Sequence, residues 1–455
     1  MEIMHLLKEV YNIKKNNKRS RDEILEIQNS KLNDLIEHVL KNSKFYREFY
    51  GKHGITLENY KTIDYNKYPT IDKDIIADHF DDLICTEDFK REDLEEFISH
   101  RENWGGRYKG KYLAMTSSGS TGHPTIFVYD QKAWATVKAF IIGRVDRSHK
   151  MSLLKKERIA FIIATGGNFA SYNLAQEAKN INYTTLTLDV NGDLQEIIDA
   201  LNEFQPTILS GYSSSIAALG EEKLDGKLRI FPKRVFCSAD KLTRNRKEVI
   251  ERAFGVIPLN FYGATESLGM GSEIQERGQI FLFDDYYKFE IVDEKMDEVE
   301  VGEVGDLIVT NLYNYVMPLL RYRMEDRLKK SKDQDFNFTL IDEIAGRVVD
   351  DLYFERTDGS QEKLTALQLV GMYFNNVKKI QFVQEDKNTL KIKYVEREEV
   401  DPEKEILPMI IEFLKSKNLD KDIKIIIEKA ENIPVDPHTG KYRQIVSHKK
   451  KPSLN

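Results

Sequence analysis

Cysteine is scarce in this sequence, and no long apolar run occurs in it. The 455-residue chain has two cysteines, Cys85 and Cys237, and no CxxC pair. These facts exclude a disulfide framework or a zinc ribbon as the basis of the fold. The N-terminal segment lacks an apolar core followed by a small-residue cleavage site, and no apolar stretch is long enough to cross a bilayer. The sequence therefore predicts a reduced, cytoplasmic protein that does not span a membrane.

A large excess of either charge is also missing. The chain has 68 Lys and Arg against 75 Asp and Glu, for a formal net charge of -7. This balance gives no overall positive field to attract nucleic acid or anionic lipid. Two short basic runs near the ends, KKNNKR and HKKKP, are expected to be solvated tails. We therefore expect neither a nucleic acid nor a membrane as a partner, and the composition leaves the oligomeric state open.

The order of apolar patterns predicts two domains of different construction. Between about residues 159 and 260, short apolar runs alternate with helix-length segments, as in a parallel sheet covered by helices. Antiparallel strands are expected from residue 286, where apolar and polar residues begin to alternate. We predict an α/β fold, with a large N-terminal domain (1–345) of doubly wound sheets with β additions and a small α+β C-terminal domain (346–455).

Several elements can be assigned from periodicity alone. The first 50 residues are predicted to be helical, because residues 23–49 carry one apolar stripe at helical spacing. Residues 402–416 have the pattern of an amphipathic helix. The predicted parallel strands are Ile159–Ala164, Thr184–Asp189, Thr207–Leu209 and Arg234–Cys237, with helices at 171–180, 193–204 and 214–223 between them.

One segment near residue 120 is dense in small and hydroxyl side chains. It reads Thr116-Ser117-Ser118-Gly119-Ser120-Thr121-Gly122-His123-Pro124. Small residues let backbone N–H groups approach an anion closely and hydroxyls add donors, so such a loop can wrap phosphates. The spacing and the lysine of a Walker A loop are missing. An ordinary flexible loop is the alternative interpretation.

Four later segments carry side chains suited to nucleotide chemistry. The segment Asn260–Glu266 follows an apolar run, so its glutamate is expected just past a strand end, where a carboxylate could hold Mg²⁺ beside a nucleotide. The segment Arg321–Arg327 collects three arginines and two acids. Gly346–Asp351 falls at the predicted domain boundary, and Pro437–Arg443 presents a lysine in a loop. A solvated turn or a surface ion-pair cluster is the alternative for these segments.

Taken in order, these segments resemble a known family signature. The series TSSGSTGHP, FYGATE, RYRMED, GRVVDD and HTGKYR resembles that of the adenylate-forming superfamily of acyl- and aryl-CoA ligases and peptide-synthetase adenylation domains. The stretches SSGSTGHPT, TGGNFAS and PTILSGYSSSIAAL are most similar to the phenylacetate-CoA ligase and CapK-like branch. The resemblance spans residues 116–443. It implies ATP-dependent activation of a small carboxylic acid as an acyl-adenylate with release of pyrophosphate, followed by transfer to a thiol.

The resemblance implies a set of nucleotide-binding residues, with ATP and Mg²⁺ as the groups bound. Adenine would lie against the backbone of Ser238, Ala239 and Asp240 and stack on Tyr262. Asp326 would hold the ribose hydroxyls. The phosphate-binding segment would consist of Thr116, Ser117, Ser118, Gly119, Ser120, Thr121 and Gly122.

The same resemblance implies four catalytic residues. Thr265 would contact the α-phosphate and Glu266 would ligate Mg²⁺. Arg347 would add to the grip on the ribose at the start of the small domain. Lys441 would reach from that domain to the carboxylate and the α-phosphate, and it would act in adenylation only. A lysine and Mg²⁺ are needed because an anionic carboxylate must attack an anionic phosphate.

The pocket for the acid is implied less specifically. The candidate residues include aromatic side chains that would suit a planar aryl acid, although ordinary core packing is the alternative. Short aliphatic and amino acids therefore stay open as substrates. The candidates are Asn168, Phe169, Tyr212, Ser213, Phe261 and Gly263.

Two departures from the family pattern concern the hinge and the acceptor. Two residues, Val348 and Val349, separate Arg347 from an acid pair, so the hinge residue is either Asp350 or Asp351. The glycine-rich stretch that usually follows is replaced by residues 351–360. CoA, the phosphopantetheine arm of an acyl carrier protein, and a small amine that would form an amide therefore all stay open as acceptors. A catalytically inactive nucleotide-binding scaffold is a further alternative.

Overall fold

The computed structural model describes residues 2–117, 125–145, 157–178, 183–274, 276–347, 351–364, 369, 372, 374, 376–396, 399–435 and 443–447. These residues form two compact units. Of the described residues, the first contains those up to Glu343 except for residues 325–328, and the second contains 325–328 and those from Ile344 onward. Within the described ranges, no helix is both long and apolar enough to cross a membrane. That the second unit moves and carries a catalytic lysine stays a prediction.

The helices and strands of the described residues have the following bounds. The helices of the described residues are α1 (Glu2–Asn16), α2 (Arg21–Asn42), α3 (Lys44–Gly51), α4 (Lys73–Leu83), α5 (Arg91–Ser99), α6 (Gln131–Phe140), α7 (Ala170–Ala178), α8 (Leu194–Phe204), α9 (Ser213–Leu224), α10 (Arg244–Phe254), α11 (Pro402–Glu405) and α12 (Leu407–Ser416). The strands are β1 (Leu113–Thr116), β2 (Ile126–Tyr129), β3 (Glu157–Ile163), β4 (Tyr183–Asp189), β5 (Ile208–Tyr212), β6 (Arg234–Ser238), β7 (Leu259–Tyr262), β8 (Gly271–Ile274), β9 (Gln279–Leu282), β10 (Tyr287–Val292), β11 (Val304–Asn311), β12 (Tyr322–Lys330), β13 (Leu340–Arg347), β14 (Leu352–Glu355), β15 (Gln361–Leu364), β16 (Val377–Gln384), β17 (Thr389–Glu396), β18 (Lys424–Lys429) and β19 (Ile445–Ser447).

The N-terminal region is helical as predicted, but residues 23–49 belong to two helices and not to one. Ser43 has an extended backbone and separates α2 from α3. Its hydroxyl oxygen accepts a hydrogen bond from the Tyr46 backbone N–H at 3.2 Å and donates to the Asp82 carbonyl oxygen at 3.0 Å. Serine is a good N-cap because its side chain supplies the acceptor that the first turn lacks. The stripe predicted from Ile24 to Leu40 therefore lies on α2, and the helix predicted over 23–49 is interrupted at Ser43.

The first unit is built on a sheet whose strand order is β10-β11-β12-β13-β9-β8-β7-β6-β5-β3-β4. Strands β4, β3, β5, β6 and β7 are parallel to one another. Helices α7, α8, α9 and α10 connect them, which confirms the predicted doubly wound core. In the same sheet, β7 pairs antiparallel with β8, β8 with β9, β9 with β13, and β10 with β11. The predicted β additions after residue 286 are therefore confirmed.

The second unit has its own sheet and core. Its strand order is β18-β17-β16-β19, and β14 pairs with β15 in a separate hairpin. Phe382 and Ile392 of the sheet and Ile410 and Leu414 of α12 are fully buried together. The helix predicted over 402–416 is divided at Ile406, because a proline follows at the start of α12. Proline favours the first turn of a new helix and cannot continue an old one.

Candidate active site

The carboxyl ends of the parallel strands bring three predicted segments to one edge of the sheet. Tyr212, the last residue of β5, lies opposite Ser238, the last residue of β6. Cys237 of β6 lies opposite Asn260 of β7. The chain after each strand therefore leaves the sheet at the same edge, where open α/β sheets bind ligands. The resemblance assigned the pocket, adenine and Thr265–Glu266 segments to these strand ends.

The segment predicted to bind phosphate is the connection of a β-hairpin. Strands β1 and β2 pair antiparallel, with Thr116 opposite Ile126. The Ser117 N–H donates to the Thr125 carbonyl oxygen at 3.0 Å, and the Ser117 hydroxyl oxygen accepts from the Thr125 N–H at 3.2 Å. Ser117 thus closes the base of the loop. The other predicted phosphate contacts, Ser118, Gly119, Ser120, Thr121 and Gly122, lie outside the described residues.

Asn168 ties this hairpin to the chain that follows β3. Its amide nitrogen donates to the Ala114 carbonyl oxygen at 2.5 Å, and its carbonyl oxygen accepts from the Asn173 amide at 2.9 Å. The Asn168 backbone carbonyl accepts from the Thr116 N–H at 3.2 Å. Because the side chain is 3% exposed and bonded on both sides, the structure gives it a positioning role. Its predicted contact with the acid stays a prediction.

Tyr129 ties the same hairpin to the loop after β7. Its hydroxyl donates to the Thr265 carbonyl oxygen at 2.9 Å and accepts from the Leu268 N–H at 3.3 Å. Burial raises the pKa of the Tyr129 hydroxyl well above its usual value, so the group stays a neutral donor. The backbone of Thr265 and Glu266 is consequently held against the strand that leaves the predicted phosphate loop.

The loop between β7 and β8 is tight, and hydrogen bonds from two tyrosine hydroxyls hold its backbone. A Cβ atom on Gly263 would lie 2.8 Å from the Gly269 backbone nitrogen, a contact too close for any other residue. The Leu268 carbonyl oxygen accepts from the hydroxyls of Tyr287 at 2.7 Å and Tyr313 at 2.6 Å. Gly263, a predicted pocket residue, therefore has a clear structural requirement for glycine.

The segment predicted to face adenine has an unusual backbone. Ala239 adopts a left-handed conformation with φ of 68°. The Asp240 carboxylate accepts from the Ser214 N–H at 3.2 Å and from Arg246 Nη1 at 3.2 Å. Such a carboxylate at the N-terminus of α9 is also favoured by the helix dipole. Since the side chain of Asp240 is held by the protein, what this segment offers a base is its backbone.

The two aromatic residues that end β7 point to opposite faces of the sheet, because successive side chains of a strand alternate. Tyr262 is 5% exposed, and Phe261 is partly exposed. The predicted roles divide in the same way, with Tyr262 assigned to adenine and Phe261 to the acid. Both roles stay predictions.

The other predicted pocket residues differ in how far their side chains are available to contact a substrate. Tyr212 is 3% exposed and its hydroxyl oxygen accepts from the Ala164 N–H at 3.2 Å. Ser213 is fully buried and its hydroxyl donates to the Asp240 carbonyl oxygen at 3.0 Å. Phe169 is partly exposed and packs over Gly167. Of these three, Phe169 has the side chain most able to contact a substrate.

Glu266 fits the expected magnesium ligand in its chemistry. It is partly exposed in the loop after β7. Among the residues that the structure describes, no group of three or more acidic, His or Cys side chains could form a metal site by itself. A single carboxylate is consistent with Mg²⁺, which is usually held by one or two carboxylates together with substrate phosphates.

The cysteine next to the adenine segment is not a candidate nucleophile. Cys237 of β6 is fully buried, and burial raises the pKa of its thiol to about 12. A thiol is a weak nucleophile in its protonated form. Any thiol that accepts an acyl group at this edge of the sheet must therefore come from another molecule.

The remaining predicted residues belong to the second unit or lie outside the described residues. Asp326 lies on β12 and is 9% exposed. Arg347 is the last residue of β13. Lys441 and the hinge candidate Asp350 are outside the described residues. The predicted roles of these four residues toward the ribose, the substrate and the domain motion stay predictions.

The arginine-rich segment is not the solvated cluster considered as its alternative. Arg321 is 3% exposed and donates to both carboxylate oxygens of Glu290, at 3.1 and 2.7 Å. Arg327 donates to both oxygens of Asp351, at 2.9 and 2.8 Å. Both pairs are buried. Arg321 uses Nε and Nη2, the two-nitrogen geometry that suits a carboxylate best, whereas Arg327 uses Nη1 alone. The pair of Arg321 with Glu290 stabilises the first unit, and the pair of Arg327 with Asp351 stabilises the second.

Sequence analysis missed the residues that position the site. Tyr129 ends an apolar strand, and nothing in that strand predicts that its hydroxyl bonds a residue 136 positions later. The carboxylate of Asp240 was assigned only by its place in the adenine segment. A signal for it was available, because Ser214 begins a predicted helix, and the first backbone N–H groups of a helix need acceptors.

Comparisons with known proteins agree with this arrangement. Residues 356–448 match the family model of the CapK C-terminal domain. Protein CapK of Staphylococcus aureus is 25% identical over 380 residues, 81% of this chain and 77% of CapK. The phenylacetate-coenzyme A ligase of Escherichia coli (strain K12) is 24% identical over 344 residues, 72% of each chain.

The fold is shared with a solved structure. The crystal structure of 2-hydroxyisobutyryl-CoA ligase in the postadenylation state, in complex with 2-HIB-AMP, matches with a TM-score of 0.67. The match covers 94% of this chain and 90% of that chain at 16% sequence identity, so it concerns the fold. This structure shows the fold, while the ordered motifs and the two relatives support an adenylate-forming CoA ligase family for this chain.

Proposed function

We propose that this protein uses ATP to activate a small carboxylic acid as an acyl-adenylate, releases pyrophosphate, and then transfers the acyl group to a thiol. CoA is the acceptor that we propose first. Its support is the relationship to phenylacetate-coenzyme A ligase and the fold shared with 2-hydroxyisobutyryl-CoA ligase. The phosphopantetheine arm of a carrier protein is the same chemical group on a larger partner.

The observation that carries the proposal is the convergence of four motif segments at one edge of the parallel sheet. Ser117 closes the base of the candidate phosphate loop, and Tyr129 fixes that hairpin to Thr265. Asn168 fixes it to the end of β3. The adenine candidate, Ala239, follows the neighbouring strand β6. Such an arrangement allows one nucleotide to contact all four segments.

The residues supply binding and charge stabilisation. Backbone N–H groups and hydroxyls of the hairpin loop would hold the phosphates, and the Thr265 hydroxyl would contact the phosphate that is attacked. Glu266 would hold Mg²⁺, which when bound neutralises phosphate charge. Lys441 would stabilise the carboxylate and the developing charge. The bonds exchanged are the α–β phosphoanhydride of ATP, which breaks, and the carboxyl–phosphate anhydride, which forms.

We propose a cytoplasmic, biosynthetic setting, because CoA, ATP and reduced thiols are available there. We infer the class of acid from the partly exposed aromatic side chains at the edge of the sheet. Phe169 and Phe261 would provide apolar walls. An aryl acid would use both walls, and a short aliphatic acid would leave part of them uncovered.

The test is ATP–pyrophosphate exchange by the purified protein with a panel of benzoates, hydroxybenzoates, arylacetates, short fatty acids and amino acids. Exchange that depends on one chemical group supports adenylation and identifies the acid. CoA, pantetheinylated carrier and amines are then offered to the activated acid, and the product identifies the acceptor. Absence of exchange with every acid, while ATP still binds, would contradict the proposal and favour a scaffold.

A further inference from the structure

The outer face of α1 carries an apolar stripe that faces solvent. Ile3, Met4, Leu7 and Tyr11 are 72%, 77%, 65% and 66% exposed. Their spacing of three and four residues places them in line along the helix. Large apolar side chains clustered on one exposed surface mark an interaction site more often than isolated ones do. The stripe is therefore expected to bind another molecule or surface.

The acidic side chains of α1 point away from this stripe. Glu2 accepts hydrogen bonds from Lys138 and from Arg107 Nη2, the latter at 3.3 Å. Glu9 is 8% exposed and accepts from the hydroxyl of Tyr286. Both carboxylates of the helix therefore have hydrogen-bond donors on the inner face. They add no negative charge to the outer face.

The basic side chains of α1 lie on the same side as the stripe. Lys8, Lys14 and Lys15 are exposed, and Lys18 is exposed just after the helix. Across the described ranges, no acidic group lies within ion-pair distance of these four lysines. The outer face consequently combines apolar contact with uncompensated positive charge, although the whole chain has a net charge of -7.

We propose that this face of α1 binds the surface of an anionic phospholipid membrane. Apolar side chains can enter the boundary between headgroups and acyl chains, while lysine stems extend to the lipid phosphates. Tyr11 has the amphipathic ring that favours this depth. A helix on a membrane surface needs no spanning segment. Sequence analysis expected no membrane partner, because it used the total charge and interpreted the KKNNKR run as a solvated tail.

Two other occupants are less well matched. A second copy of the chain would place the four lysines of one molecule against those of the other, because a two-fold interface pairs a surface with itself. An acidic protein would have to supply a groove for a convex helix. A fluid membrane boundary accepts the helix without such a groove.

The helix is already ordered and anchored, which favours surface binding. Ile13 is fully buried, and the Asn16 amide donates to Asp285 Oδ2 at 2.8 Å. Asp285 is paired in turn with the buried Arg144 at 2.7 Å. An isolated peptide of this length would first have to form a helix on the membrane, at a cost in conformational entropy. This helix meets the surface preformed.

The test is co-sedimentation of the full-length protein with vesicles of phosphatidylcholine alone and of phosphatidylcholine with phosphatidylglycerol. We expect sedimentation with the anionic vesicles only, and its loss at high salt. Leu7→Asp should weaken binding by at least about tenfold through the lost apolar contact. Lys14→Gln with Lys15→Gln should weaken it about 30-fold in total, since each lysine near such a surface contributes a factor of about five.

Matched controls alter equally exposed groups elsewhere. Phe231 is 75% exposed, so Phe231→Asp changes a comparable apolar contact. Lys415 and Lys421 are exposed in the second unit, so Lys415→Gln with Lys421→Gln removes the same charge. Both controls should bind vesicles like the unchanged protein, and ATP–pyrophosphate exchange should be equal in all variants without vesicles.

Three outcomes would overturn the proposal. One is failure of the unchanged protein to sediment with anionic vesicles. Another is equal binding to neutral and anionic vesicles, which would remove the role of the lysines. The third is a dimer in solution that Leu7→Asp dissociates, which would assign the stripe to a second copy. The inference does not depend on the proposed function, because vesicle binding and exchange are measured separately.

Discussion

Arg327 Nη1 lies 2.9 and 2.8 Å from the two carboxylate oxygens of Asp351. Asp351 is fully buried at its side chain and that of Arg327 is 11% exposed. The pair joins the segment of β12 that belongs to the second unit to the residue just before β14. It therefore fixes the chain immediately after the predicted Gly-Arg hinge motif.

Removing one partner of this pair should destabilise the second unit strongly. Asp351→Asn or Arg327→Ala would leave a charge buried without its partner, at a cost of about 3 to 5 kcal/mol in the free energy of unfolding. Urea denaturation measures the change. The control is Lys387→Ala, which removes a solvent-exposed pair with Glu355 at 2.8 Å and should cost less than about 1 kcal/mol. Equal costs for the two pairs would contradict the assignment.

The same pair bears on the choice of hinge residue. A hinge residue must change its backbone angles between two conformations. Asp351 is fixed by a bidentate, buried contact, so these contacts favour Asp350 as the residue that rotates. The choice stays a prediction, since Asp350 lies outside the described residues.

Tyr129→Phe should lower the adenylation rate. The substitution removes the donor to the Thr265 carbonyl oxygen and leaves the Leu268 N–H without its acceptor. We expect a loss of about 1 to 3 kcal/mol in stability, together with a lower kcat in ATP–pyrophosphate exchange because the Thr265–Glu266 backbone is released. Exchange kinetics and thermal denaturation measure the two effects.

Tyr287→Phe is the matched control for Tyr129→Phe. Tyr287 and Tyr313 both donate to the Leu268 carbonyl oxygen, so either can be lost while the acceptor keeps a partner. This variant should change adenylation less than Tyr129→Phe does. If Tyr129→Phe lost stability but kept the full exchange rate, the hydroxyl would be structural without setting the geometry of the loop.

Ala239→Val should raise the KM for ATP. Ala239 has φ of 68°, and a β-branched residue in this left-handed region is strained. The backbone would relax away from the shape that is proposed to face adenine. Ala239→Gly, which tolerates the conformation, should keep the KM close to its original value. Initial-rate kinetics at varied ATP measure both variants.

Asn418→Val is the control for the general effect of backbone strain on stability. Asn418 also has a left-handed backbone, with φ of 54°, but it lies in the second unit after α12. This variant should lose stability without changing the KM for ATP. A raised KM in both valine variants would mean that destabilisation, and not the shape of the adenine segment, is responsible.

Lys441→Ala should abolish adenylation and spare the second half-reaction. The lysine is predicted to offset the charge that develops as pyrophosphate leaves, and that charge is absent when acyl-AMP is supplied. Thioester formation from added acyl-AMP should therefore continue. Lys424→Ala, an exposed lysine of β18, is the control and should affect neither step. Equal loss in both half-reactions would contradict the predicted role.

Glu266→Gln should weaken the dependence of the exchange rate on Mg²⁺. An amide is a poorer ligand than a carboxylate for this cation, so a higher Mg²⁺ concentration should be required for half-maximal rate. Glu248→Gln removes the same charge from the exposed face of α10 and should leave the titration unchanged. A normal Mg²⁺ titration for Glu266→Gln would remove this residue from the metal site.

The parallel core could be predicted because buried strands and amphipathic helices have different apolar periods. The break between α2 and α3 at Ser43 could not be predicted, because the apolar spacing continues across it. The break depends on the Ser43 hydroxyl, which donates to the Asp82 carbonyl oxygen. The positions of the site segments followed from the ends of predicted strands. The contacts that fix them, such as Tyr129 with Thr265, join residues far apart in sequence and leave no local pattern.

Strand β7 is parallel to β6 and antiparallel to β8. The chain that leaves it turns back through a short loop, whereas the parallel strands before it are followed by a helix. The loops after β3 and β6 can therefore change in length, since helices can shift to absorb an insertion. The loop after β7 has no such freedom, so variation in substrate choice during evolution would be expected to accumulate around it and not within it.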